Sequence, residues 1–80
     1  MLDASHNKLT TNAGICNMRR LKLLDLSHNE ITALVTSQLA TFTSIINLDL
    51  SHNKINTVTS LAPLATLQVL HLEKNNIKDL

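Results

Sequence analysis

Three copies of the tripeptide Ser-His-Asn stand at Ser5-His6-Asn7, Ser27-His28-Asn29 and Ser51-His52-Asn53, and each follows an aspartate two residues ahead of its serine: Asp3, Asp25 and Asp49. A hydroxyl, an imidazole and a carboxylate are the parts of an activated nucleophile, so Asp25, Ser27 and His28 are the first group to weigh. Neighbours along one stretch of chain do not supply the base-to-nucleophile hydrogen bond or an oxyanion hole, and the triad reading is set aside. The aspartates alone invite acid/base chemistry, and a close column of like charges would raise their pKa values. A general acid and base need two carboxylates in different environments around a cleft, whereas these three recur at equivalent positions. The histidines invite zinc, but equivalent imidazoles in a straight column do not converge on one point at zinc–nitrogen distances of about 2.1 Å. Lys74 also replaces histidine at the fourth such position. Cys16, the single cysteine, lies between Ile15 and Met18 and reads as a small buried hydrophobe rather than a reactive thiolate. No catalytic residue, metal site or cofactor is expected.

What positions these residues is a repeat. Leu2 to Leu9, Leu24 to Ile31, Leu48 to Ile55 and Leu70 to Ile77 echo one another, and their asparagines Asn7, Asn29, Asn53 and Asn75 are separated by 22, 24 and 22 residues. In the third unit the apolar residues run Ile45, Leu48, Leu50, Ile55, Val58, Leu61 and Leu64. The alternation around Leu48-Asp49-Leu50 predicts a short strand with Asp49 outward. The later spacing of three fits a 3-10-like or irregular return better than an α-helix. Each asparagine falls where the strand ends and the chain turns inward. Its amide has donors and acceptors enough to bond the backbone of its own and adjoining coils, so the four are expected to form an internal structural ladder. The returns differ. Between Ile31 and Ile45 the chain carries two extra residues, which predicts a bulge or a true helical turn; Asn12 takes an apolar place in the first return, Gly14 permits a tight turn there, and Pro63 suits an irregular segment in the third.

A period of roughly 20–29 residues with leucines and an asparagine in this order resembles the leucine-rich repeat superfamily. The stretch from Asn53 to Leu72 looks like its 22-residue subclass, typified by the regulatory subunit of type-1 protein phosphatase and by axonemal dynein light chain 1. The resemblance covers essentially the whole chain. It implies an α/β solenoid: a right-handed leucine-rich repeat arc with short parallel strands on the concave face, 3-10 or irregular segments on the convex face, and binding mainly through outward concave strand residues. Repeats of about 1–20, 21–44, 45–66 and 67–80 then make residues 1–80 a single array. Neither end carries a polar cap of the kind such arrays need, so the expectation is a segment of a longer solenoid whose ends are covered by further repeats or subunits.

With neighbouring strands about 4.8 Å apart, the outward columns are Met1, Leu23, Asn47, Val69 and Asp3, Asp25, Asp49, His71. Serines 5, 27 and 51 with Glu73, and histidines 6, 28 and 52 with Lys74, follow at the strand exit. The candidate protein-binding residues are Leu23, Asp25, Asn47, Asp49, Val69 and His71, a face fitted to a helix or loop with an apolar ridge and a basic edge. A formal charge of +1 supplies no long-range field for nucleic acid or an anionic membrane, and one aromatic residue, Phe42, provides no base-stacking platform. Arg19, Arg20 and Lys22 form the one basic cluster, read as a solvated edge in preference to a contact patch. No apolar run approaches the length of about 18 residues needed to span a membrane. A lone cysteine favours a reducing, cytoplasmic compartment, cytoskeletal or ciliary assemblies included, and Ser-His before Asn leans toward a eukaryotic source. The expected function is a non-catalytic protein-interaction scaffold within a larger intracellular assembly. An internalin-like adhesion repeat and the targeting module of a larger enzyme are the alternatives.

Overall fold

The computed structural model of the chain describes residues 1–56, 61 and 64–77. Its elements are four short strands, β1 (Leu2–Asp3), β2 (Leu23–Asp25), β3 (Asn47–Asp49) and β4 (Val69–His71), and one helical turn, α1 (Thr36–Leu39). The strands form one open parallel sheet in the order β1-β2-β3-β4. Register follows the repeat: Leu2 pairs with Leu24, Leu24 with Leu48, and Leu48 with Leu70. Each crossover is one complete coil, so strands adjacent in sequence are adjacent in space and the sheet grows by stacking. A stacked, open parallel sheet is what the resemblance implies.

Pairing runs past the strands into the turn. The amides of Leu26 and His28 donate to the carbonyls of Asp49 and Ser51 at 2.8 and 3.0 Å, and those of Leu50 and His52 to His71 and Glu73 at 2.9 and 2.8 Å. Once the chain has turned, the direction reverses: Glu30 donates back to Leu9, Lys54 to Ile31 and Asn76 to Ile55, at 2.8, 2.8 and 3.0 Å. The turn itself requires left-handed backbone, and His6, His28, His52 and Lys74 hold φ between 56° and 61°. Left-handed φ is uncommon outside glycine, and histidine is among the residues that tolerate it.

Alternation on the strands puts Leu24, Leu26, Leu48 and Leu50 inside, where Ile31, Ile45, Ile55, Leu39, Phe42 and Leu64 complete an aliphatic core around one aromatic ring. Burial is deepest in the middle coils. Leu24 and Leu48 are each 1% exposed, whereas their equivalent on β4, Leu70, is 37% exposed because no coil lies on the outer side of that strand.

The second return takes its two extra residues as α1, which turns Leu39 into the core. Gly14 in the first return has φ of 90° with nothing within 4 Å of where a Cβ would stand, so backbone conformation rather than space calls for glycine. Its amide donates to Gln38 Oε1 at 2.6 Å, tying that return to α1. The Pro63 and Val58 expectations lie outside the described residues.

Candidate interaction face

The asparagines lock successive coils together. Asn53 donates through Nδ2 to the carbonyls of Leu26, Leu50 and Ser51 at 3.0, 3.0 and 3.2 Å, and its Oδ1 accepts from the Ile31 amide at 3.0 Å. Asn29 does the same with Ala4, Leu26 and Ser27 as acceptors and the Leu9 amide as donor. Asn75 bonds Leu50, Leu72 and Glu73 and accepts from Ile55. Asn7 corrects the expectation of four equivalent internal asparagines: it is exposed and bonds only Ala4 and Ser5 of its own coil. The reason is positional, since each asparagine reaches back to the coil before it and β1 is an edge strand.

A further asparagine does similar work unseen in the repeat pattern. Asn12 is 0% exposed. Its Oδ1 accepts from the Val35 amide at 2.6 Å and its Nδ2 donates to the Val35 carbonyl at 3.4 Å. Its place in an apolar position was the available signal, for a polar residue buried there must find partners.

On the open face, pairing sets Leu23 beside Asn47 and Asn47 beside Val69 in one column, and Asp25, Asp49 and His71 in the next. The structure therefore brings the six candidate residues onto one continuous surface. Leu23, Asp25, Asn47, Asp49 and His71 are half-buried and Val69 is exposed.

Each aspartate is clamped by the serine two residues on, an Asx-type turn. Asp25 Oδ1 accepts from the Ser27 amide at 3.0 Å and hydroxyl at 2.6 Å. Asp49 accepts from Ser51 at 3.0 and 2.7 Å, and Asp3 from Ser5 at 3.0 and 2.5 Å. At Asp3 and Asp49 this overturns the expectation of raised carboxyl pKa values. The Ser5 hydroxyl, then its amide, hold Asp3 below the ordinary carboxylate value. At Asp49 partial burial opposes ionisation, but the Ser51 hydroxyl and amide, joined by His71 and His28, outweigh it and the pKa is lowered. Hydrogen bonds to the charged form defeat like-charge repulsion on a solvated face. The same bonds consume the serines: Ser27 and Ser51 are buried and donate to carboxylates, an arrangement opposite to that of an activated nucleophile.

The histidines stack. Ring centroids of His6 and His28 lie 4.3 Å apart at 9°, and those of His28 and His52 lie 4.1 Å apart at 12°. Near-parallel rings direct equivalent nitrogens along parallel lines, and among the described residues no three His, Cys, Asp or Glu side chains are grouped to hold a metal ion. Cys16 is a half-buried free thiol.

Comparison with known proteins agrees with this geometry. No curated protein matches the sequence. Among solved structures, a chain in the crystal structure of the Drosophila melanogaster SNF/U2A' complex is similar, with a TM-score of 0.81 at 24% sequence identity over 94% of this chain and 45% of that one. The present chain thus spans less than half the length of that neighbour. The family described as Leucine rich repeat matches residues 19–77, which take in three of the four asparagine turns and two of the three strand pairs of the open sheet. The chain belongs to the leucine-rich repeat family.

Proposed function

We propose that this chain is a non-catalytic protein-interaction scaffold that binds through its open strand face. The observation that carries the reading is the composition of that face: a column of Leu23, Asn47 and Val69 lies directly beside Asp25, Asp49 and His71. Apolar area there contributes affinity, and the serine-clamped carboxylates at its margin orient a basic partner segment. The stacked histidines and clamped serines serve to shape the rim and support this role better than a chemical one. The similar solved chain belongs to a complex, which fits a surface built for assembly.

Finer features of the proposal rest on the sequence. Spacings of 22, 24 and 22 residues favour the 22-residue subclass. The lone, half-buried Cys16 favours a reducing compartment such as the cytoplasm. Exposed Leu70 on an edge strand favours further repeats or subunits against it.

The test is charge reversal at the centre of the face. Replacing Asp25→Lys together with Asp49→Lys abolishes association with the native partner while circular dichroism stays that of the parent. Undiminished association in the folded double variant refutes the assignment of this face.

A further inference from the structure

At the opposite ends of the strands, where the chain enters the sheet, lies a shallow pocket of about 180 Å³ lined by Ala40, Phe42, Thr43, Ala65 and Thr66. Its lining is mixed, more apolar than polar. Both threonine hydroxyls are turned to backbone carbonyls, Thr43 to Arg19 at 3.3 Å and Thr66 to Ile45 at 2.6 Å. The apolar share of the wall comes from Ala40, Ala65 and Phe42, and the threonine hydroxyls are already engaged. The volume suits one medium aliphatic side chain.

The Thr43 bond to the Arg19 carbonyl also ties the pocket to the coil that carries Arg19, Arg20 and Lys22, whose side chains are all exposed. The Lys22 carbonyl accepts from the amides of Ile46 and Asn47 at 2.8 and 2.9 Å, fixing this basic coil at one coil's distance from the pocket wall. Ion pairs among the described residues are Lys54 with Glu30 and His71 with Glu73, so the three cations of the cluster are not spent within that set. An apolar socket beside unspent positive charge is complementary to one kind of ligand.

We propose that this edge is a second docking site, distinct from the open strand face, for an acidic peptide segment that inserts one leucine-sized side chain between Ala40 and Ala65 and sets its flanking carboxylates against Arg19, Arg20 and Lys22. The socket supplies the anchor's burial and the cations supply orientation and salt sensitivity. This site is independent of the proposed strand-face scaffold and uses none of its residues.

The test takes the full chain, isotope-labelled, and a short synthetic peptide in which one leucine is flanked by glutamates. Titration is expected to shift the amide resonances of Ala40, Thr43, Ala65 and Thr66, with affinity falling as salt is raised. Arg19→Glu with Arg20→Glu weakens binding roughly tenfold or more, and Ala65→Leu, which fills the socket from an exposed position, weakens it without altering the salt dependence. Replacing the peptide's leucine by glycine removes the shifts. No binding, shifts centred on Asp25 and Asp49, or affinity undiminished from the parent in either variant each overturns the proposal.

Discussion

At the scale of single residues, the middle asparagines hold the coils at their turns. Asn53 bonds three carbonyls and one amide of its own and the preceding coil from a buried position, and its loss leaves the Ile31 amide without that acceptor. Asn53→Ala should therefore cost about 3 kcal/mol or more of folding stability, and the exposed Asn7→Ala less than about 1 kcal/mol. Urea unfolding of the two variants measures the contrast, and equal costs contradict the ladder's graded geometry. The aspartate clamps make a second prediction. A carboxyl whose folded pKa lies below its ordinary value of 3.8 contributes stability that is present above that value and lost as pH falls through the lower folded one. Asp49→Asn is thus expected to be less stable than the parent at neutral pH, with the gap closing as pH is lowered below about 5. A gap that widens on acidification contradicts the clamp. The asparagine period was legible in the sequence because identical residues recur at fixed offsets. The clamp was less so: the aspartate-to-serine spacing of two is an Asx-turn signal, yet with the serines read as rim residues the like-charge column predicted the opposite shift.

Elements here are short, and their strength comes from neighbours. Three-residue strands carry little stability alone, so register is fixed by alternation that sends Leu24 and Leu48 inward and their aspartate neighbours outward. Leu48→Ala, in a fully enclosed position, should cost about 3 kcal/mol, whereas Leu70→Ala at the edge costs distinctly less. Chemical denaturation of the pair decides the point, and a reversed order argues against the register. The strands and their pairing were legible because period-2 alternation has one solution when one face is buried. The second return was open between a bulge and a helical turn, since two extra residues can be absorbed either way. Packing of Leu39 and Phe42 settled it as α1. Nothing in the repeat pattern announced that Gln38 of α1 reaches across to the Gly14 amide.

Across the whole molecule, the strand exits carry the clamped carboxylates together with Lys8, Lys54 and Lys74, while Arg19, Arg20 and Lys22 sit where the chain enters. Stacking rules told which residues share a column, but a column's outward chemistry does not name its partner, so the architecture was readable where the partner was not. The central claim is that the open strand face meets another polypeptide. Lys8, Lys54 and Lys74 are exposed at the strand-exit rim and report on that side. The most direct test is crosslinking mass spectrometry on the native assembly: links from these three lysines to a different subunit are predicted, and links running only to other segments of the same chain would contradict the account.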